Sequence, residues 1–386
     1  MGARGKRRRS EVHSSSKRAD EHFAVCAKAG SCANEGRWHE AAELYEQAVA
    51  AGGREVALFS NLGLARLMLG KVSAAEAPLL LATSSAHATP SAFFNLGLLR
   101  TAQHRHEPAR QAYLEAVNRR PDYFEAWFNL GNVLLSLRQR EAAAQAFERA
   151  VELRSDDPMA SHMLAALRGQ ARTRAPAEFV RSLFNQYAPT FDENLEQRLQ
   201  YDAPSQLREL LNHHIAQPLR PGAVLDVGCG TGLAGAAFAD LADHLTGVDL
   251  SEGMIDQARR KGIYDSLIVA DFLDVLRCPG PTFDMFLACD VFIYLGDLGP
   301  VFEALGRRAA PNGLALFSTE VAVDAPPEDV AGFHLGPEVR FTHSREHVLR
   351  TADQAHWVEV ASQPITLRLQ RGRPVPGEVF LLRHQP

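Results

Sequence analysis

With 386 residues, 46% of them hydrophobic, the chain is long enough to bury ample core and to divide into two or three domains. A formal net charge of −5 disfavours wholesale binding to a nucleic-acid backbone, and every apolar run is shorter than the roughly 20 residues that a membrane-spanning helix needs. The five cysteines, Cys26, Cys32, Cys229, Cys278 and Cys289, are odd in number and contain no CxxC pair. They make neither a zinc site nor a disulfide framework and fit a reducing cytoplasm.

Residues 1–19 read as a disordered basic tail, in which Arg4, Lys6, Arg7, Arg8, Arg9, Lys17 and Arg18 stand against Glu11 alone. No apolar stretch follows these charges, so a signal peptide is not expected, and Lys6 stands where N-myristoylation wants Ser or Thr. The expected location is therefore cytoplasmic. The run is either a solvated tail or an arm that touches RNA.

Residues 20–170 repeat themselves. Asn61-Leu-Gly63, Asn95-Leu-Gly97 and Asn129-Leu-Gly131 lie 34 residues apart, and the glycine slot holds Ala29 one period earlier and Ala165 one period later. In the same phase run Ala41, Ala75, Ala109 and Ala143, then the bulky Tyr45, Leu79, Tyr113 and Phe147, then Ala48, Ala82, Ala116 and Ala150. Phe93 and Trp127 fill an aromatic slot, and Pro121 ends one repeat. This 34-residue pattern is similar to the tetratricopeptide repeat (TPR): two antiparallel helices per repeat, with small residues where the backbones cross. Four repeats are expected, with a capping helix over 159–168. Asn61, Asn95 and Asn129 share one slot on the first helix of each repeat. A ladder of amides can pair with the backbone of an extended peptide, and this one resembles the ladder of TPR-bearing glycosyltransferases. The alternative is that these amides pair with the adjacent helix.

Residues 169–176 break the repeat and read as a linker, followed by two leading segments, 179–192 and 199–204. Then comes Val224-Leu-Asp-Val-Gly-Cys-Gly-Thr-Gly232: a short apolar strand, Asp226, and glycines at every second position, Gly228, Gly230 and Gly232. Glycines let the backbone turn sharply and let a ligand approach without a Cβ in the way, and the helix-forming run from Leu233 follows at once. Further apolar runs end at Asp249, which lies 21 residues after Gly228, at Asp271 and at Asp290. Each of the three is either a ligand contact or a polar strand end. The dinucleotide fingerprint is G-x-G-x-x-G; here the third glycine comes one residue early, and a carboxylate at Asp226 would oppose a pyrophosphate.

The loop and its strand-end carboxylates resemble class I methyltransferases that use S-adenosylmethionine (SAM), and the leading segments resemble a bacterial subgroup of them that carries TPR repeats. The resemblance implies a TPR α-solenoid (20–170) followed by a Rossmann-like, seven-stranded domain (171–386, its sheet over 219–386) with the last strand reversed. It also implies that SAM lies over Gly228, Cys229, Gly230, Thr231 and Gly232, with Asp226 beside them. Asp249 and Leu250 would hold the ribose, Asp271 and Phe272 the adenine, and Met254 and Asp290 would complete the site. Tyr187 would close over the methionine end or else pack its helix on the sheet. Cys229 is read as a small residue that fits the turn rather than as a nucleophile.

Such transfers need alignment more than a fixed triad, and a base where the acceptor carries a proton. Tyr294, Glu320, His334 and His343 lie where acceptors bind. His343 is the first choice for a base because its ordinary pKa lies near working pH, although Ser344 capping the next helix would leave it a bystander. No metal is expected. Two functions follow: a methyltransferase whose repeats recruit a protein substrate or partner, or serve docking beside a small-molecule acceptor; and a scaffold that binds SAM without catalysis.

Overall fold

The computed structural model describes residues 22–188, 191–193, 201–216, 219–322, 331–336, 338–370 and 372–385. The basic tail, Pro189–Thr190, Leu199–Gln200 and Arg371 lie outside them. The chain forms two compact units, Met1–Ser161 and His162–Pro386, which divide within a helix of residues Pro158–Arg168.

In the first unit, α1 (residues 22–34), α2 (Trp38–Ala50), α3 (Val56–Met68), α4 (Val72–Ser84), α5 (Pro90–Ala102), α6 (His106–Arg119), α7 (Phe124–Ser136) and α8 (Arg140–Leu153) make four helix pairs, and α9 (Pro158–Arg168) follows. Each pair packs by one rule. The glycine of the first helix receives the bulky residue of the second: a Cβ on Gly63, Gly97 or Gly131 would collide with Leu79, Tyr113 or Phe147. The small residues Ala75, Ala109 and Ala143 are fully buried at the crossings. Local chemistry sets the helix ends. Thr89 caps α5 by accepting the Ala92 N–H, with Pro90 in the first turn, where a missing N–H costs nothing. Pro78 sits inside α4 and cannot donate to the Ala74 carbonyl four residues back. Arg66 Nη1 donates to that oxygen instead, at 2.8 Å.

Gly131→Val places a side chain where Cζ of Phe147 lies 2.7 Å from the new Cβ. Overpacking of this kind should destabilise the array by about 1–3 kcal/mol. A urea titration followed by circular dichroism reads the loss; an unshifted midpoint would mean that the crossing has slack.

In the second unit, α10 (Ala177–Tyr187), the single turn α11 (Phe191–Glu193) and α12 (Ala203–His214) precede a doubly wound sheet. Its strands are β1 (Ala223–Val227), β2 (His244–Asp249), β3 (Ser266–Val269), β4 (Phe283–Ala288), β5 (Ala309–Glu320), β8 (Trp357–Gln370) and β9 (Arg373–His384), in the order β3-β2-β1-β4-β5-β9-β8. Only β9 runs against its neighbours. Alternation along each strand sorts side chains to two faces. Val224, Met285, Leu287, Leu314 and Leu316 pack with α12 and α13 (Leu233–Phe238). Leu225, Val227, Phe286, Ala315 and Phe317 pack with α15 (Phe272–Arg277), α16 (Gly299–Arg308) and α17 (Arg345–Gln354). α14 (Glu252–Lys261) starts on Ser251, whose hydroxyl accepts the Met254 N–H.

Three features depart from the sequence reading. Residues 372–377, whose glycines and prolines read as a loop between the last two strands, are mostly strand: β8 and β9 pair from Trp357↔His384 to Gln370↔Arg373, and Pro374 and Pro376 lie beyond Gly377, the last β9 residue that pairs with β5. A separate hairpin, β6 (Phe333–Leu335) with β7 (Phe341–His343), carries both His334 and His343. The linker also joins the second unit's own structure: Arg174 bridges to Leu295, Ala175 donates its N–H to the Tyr294 carbonyl, and Thr173 accepts from Gly296.

Candidate functional site

β1 lies between β2 and β4, where the winding of the sheet reverses, and the crevice at such a point is where open α/β sheets hold ligands. Gly228, Gly230 and Gly232 turn the chain there with φ of 62°, 54° and 92°, the left-handed region that suits glycine. Gly228 faces protein, since a Cβ would lie 2.6 Å from Val291 Cγ2, whereas Gly230 faces open space, with no heavy atom within 4 Å of a Cβ there. Asp249 ties this loop to β2: its Oδ2 accepts the Gly230 N–H at 2.9 Å and its Oδ1 the Ser251 N–H at 2.8 Å. A carboxylate offers about four acceptor positions, so Asp249 keeps capacity for ligand hydroxyls. Burial raises its pKa, and these N–H groups oppose the rise.

Asp226 shares the Val224 face of β1 and is 1% exposed. The hydroxyl of Tyr264 donates to its Oδ2 at 2.6 Å, and its Oδ1 is buried without a hydrogen-bond partner among the described residues. Burial pushes its carboxyl pKa up to about 7. Tyr264 escaped the sequence reading, yet it accounts for three glycines. A Cβ at Gly232 or Gly247 would lie 2.9 Å from its ring, and one at Gly235 would strike its hydroxyl. The only sequence signal was glycine at 235 and 247, where no turn requires it.

The remaining expected contacts divide by environment. Cys229 is buried and its thiol pKa is pushed well up, chiefly by burial, which leaves it inert. Thr231 is buried and donates to Asp192, which Lys261 Nζ meets at 2.8 Å. Leu250 is half-buried, Met254 fully buried, and Phe272 belongs to the core. Asp271 caps α15 through the Leu273 N–H and pairs with Arg174. In α10, Asn185 Oδ1 accepts from the Ser251 hydroxyl at 2.6 Å and from the Gly253 N–H at 3.2 Å. Phe184 packs 5.6 Å from the Tyr294 ring, while Tyr187 stands 48% exposed. On this helix the aromatic that packs on Tyr294 is therefore Phe184.

The residues expected on the acceptor side hold the largest difference from expectation. His343 is 2% exposed, its Nε2 lies 2.7 Å from the Leu295 carbonyl, and its ring stacks with His347. That placement makes it a core histidine of the hairpin; burial pushes its pKa down to about 4. Tyr294 is buried, and Arg340 bonds its hydroxyl. Asp290, with φ of 59°, pairs with Arg368, which also pairs with Glu320. Arg368 escaped the sequence reading because it lies 78 residues from Asp290 along the chain.

The three asparagines of the repeats are not equivalent. Asn61 is exposed, Asn129 is half-buried and donates to the Glu125 carbonyl at 2.8 Å, and Asn95 is buried, donating to the Ser60 hydroxyl at 3.0 Å. Among the described residues, no cluster of His, Cys, Asp and Glu could hold a metal ion, and no helix is long and apolar enough to cross a membrane.

A repeat solenoid followed by a doubly wound sheet with a glycine loop at its switch point defines a two-part protein of the class I methyltransferase fold. Comparison with known proteins agrees: a methyltransferase domain family model matches residues 224–313, and a tetratricopeptide repeat model matches residues 33–92 and 94–158. The chain thus carries a methyltransferase domain behind TPR repeats. It is 29% identical to a malonyl-[acyl-carrier protein] O-methyltransferase of Yersinia pestis, over 31% of this chain and 45% of that protein. It is 26% identical to a ubiquinone biosynthesis O-methyltransferase of Hahella chejuensis, over 42% of this chain and 74% of that protein. The chain spans about half the length of most curated relatives it matches. Among solved structures, the N-methyltransferase NodS of Bradyrhizobium japonicum, in complex with S-adenosylhomocysteine, covers 54% of this chain and 99% of its own at 14% identity and a TM-score of 0.42.

Proposed function

We propose that the second unit transfers a methyl group from SAM to an acceptor, and that the repeats recruit a protein substrate or partner. The observation that carries this reading is the open face over Gly230 beside Asp249, whose carboxylate keeps unused acceptor positions. SAM supplies a methyl group already activated by its sulfonium. Asp249 would take the ribose hydroxyls, Asp271 and Phe272 would flank the adenine, and the glycine loop would lie under the methionine end beside the buried carboxyl group of Asp226. Holding acceptor and methyl in line supplies up to roughly 7–11 kcal/mol in well-oriented systems, so the protein's task is to align and to exclude water. In the repeats, the exposed Asn61 and half-buried Asn129 are the amides that would meet a peptide, since Asn95 is spent on Ser60.

Asp249→Ala removes both the ribose acceptor and the tie to the Gly230 N–H. Calorimetry with S-adenosylhomocysteine should show affinity falling by roughly tenfold or more, about 1.4 kcal/mol. Unchanged affinity would remove the assignment. Incubating a host lysate with radiolabelled SAM and the protein then separates the readings: label in the protein fraction supports recruitment by the repeats, and label in neither fraction, with SAM bound, supports a non-catalytic scaffold.

A further inference from the structure

Among the second helices of the four repeats, α4 differs on the side turned to solvent. Ser73, Ala74, Ala77, Leu80, Leu81 and Ser84 are all exposed. At 3.6 residues per turn these positions fall within about a third of the helix surface, so they form one continuous face. None of them is charged. The same slots hold Glu40, Glu43 and Glu46 in α2, Glu107 and Glu115 in α6, and Glu141, Glu148, Arg149 and Glu152 in α8. The one charged residue of α4 is Glu76, which pairs with the buried Arg100 at 2.6 Å. Leu80 and Leu81 are 41% and 58% exposed, although the core side of the helix is already filled by Ala75, Pro78, Leu79 and Ala82. A single exposed leucine needs no explanation, but a whole face stripped of charge in one repeat of four does.

A charged surface pressed against this face would lose its water and find nothing to pair with. That excludes the basic tail of residues 1–19 and any strongly acidic or basic peptide. The occupant is therefore uncharged, and its relief has to match. Along the face the small residues Ser73, Ala74 and Ala77 come first, and the large Leu80 and Leu81 follow. A helix face graded in this way complements itself when it is reversed. With a second α4 crossing antiparallel about a twofold axis at Ala77, Ala77 meets its own copy. Ala74 then lies opposite Leu80, three residues either side of the axis, and Ser73 lies opposite Leu81, four residues either side. Each leucine sits over a small residue, and alanine at the axis lets the two helices approach closely. This is the isologous arrangement, in which one patch serves both subunits.

We propose that the chain forms a twofold dimer through the solvent face of α4, the occupant of each face being a second copy. Two helices about 20 Å long crossing in this way bury on the order of 1,000 Å² in total, near the low end of specific interfaces. The dimer is thus weak and concentration-dependent. Apolar burial supplies the attraction, and the glutamates of α2, α6 and α8 prevent those helices from substituting for α4. The interface lies in the repeats and is independent of the methyl-transfer reading.

Sedimentation velocity on the full chain, from low to high micromolar, should show a reversible monomer–dimer equilibrium. Leu81→Glu changes a position that is 58% exposed and so leaves the repeat core untouched. It should weaken association by about tenfold or more, with circular dichroism and the urea midpoint unchanged. Disulfide formation reads the register, in a Cys278→Ser background that removes the exposed cysteine. On mild oxidation Ala77→Cys should link to its own copy, whereas Ser73→Cys alone should not. A mixture of Ser73→Cys and Leu81→Cys should link as the mixed pair. The proposal is overturned by a chain that stays monomeric throughout, or by a dimer that Leu81→Glu leaves equally strong. It is also overturned if Ser73→Cys links to itself as readily as Ala77→Cys does.

Discussion

Acidification from pH 6.5 to pH 4 should remove about 3 kcal/mol of stability through His343 alone. Its ordinary pKa of 6.5 is pushed down to about 4, chiefly by burial, with the Leu295 and Gly296 carbonyls opposing and His347 adding to the fall. The unfolded chain therefore takes up a proton at a pH where the folded chain refuses one. Above pH 6.5 neither state is protonated and the effect vanishes; as pH falls below it, stability drains until about pH 4. His162, buried with neither ring nitrogen bonded among the described residues and pushed down to about 4 by burial and by Arg172, works in the same direction. So does His347, where burial and Arg350 outweigh Asp297. His343→Gln keeps a donor for the Leu295 carbonyl and cannot titrate. Urea unfolding near neutrality and near pH 4.5 should show a flatter pH dependence for this variant. Equal slopes would mean that water reaches the ring.

Asp226→Asn should stabilise the protein increasingly as pH rises. The folded pKa of about 7 lies above the ordinary 3.8 because burial disfavours the carboxylate, so the protonated acid is the form that the fold prefers. That contribution is fully present below pH 3.8 and is lost as pH rises through 7, by at most about 4 kcal/mol. An asparagine keeps an acceptor for the Tyr264 hydroxyl and carries no charge. The variant should thus gain on the wild type between pH 4 and pH 7 in the same urea experiment, while its affinity for SAM falls short of the wild type's above pH 7, where only the wild type carries the buried negative charge. A stability gap that does not move with pH would show that the acid is already paired in the wild type. A carboxylate that costs stability yet remains at a ligand crevice is the trade that functional sites commonly make.

How much of this was readable along the chain depended on the range of each interaction. Helix pairs recur every 34 residues because each glycine and its bulky partner belong to one pair, Gly97 with Tyr113, so the rule is written locally and repeated. The loop Gly228–Gly232 was equally legible, since positive φ is a property of the residue itself. Asp249 was placed at its strand end by the period of the unit. Tyr264, Arg174 and Arg368 were not legible: they reach Asp226, Asp271 and Asp290 from 38, 97 and 78 residues away, and nothing local marks them. His343 misled for the opposite reason. Its ordinary pKa suits a base, and only the packing of a hairpin that the pattern did not foresee shows that the ring is buried.

The amino-acid order by itself therefore determined two units, the repeat that builds the first, and the strand–glycine–helix turn that sets a crevice in the second. Backbone preference and short-range packing act within a few residues or one repeat, and such terms can be read without a fold. Tertiary structure alone decided which carboxylates stay free. Asp249 keeps open acceptor positions, Asp226 turns inward to Tyr264, and Asp290 and Glu320 share one buried arginine. Charge pairing depends on which distant strand arrives alongside, and on how much water is excluded when it does.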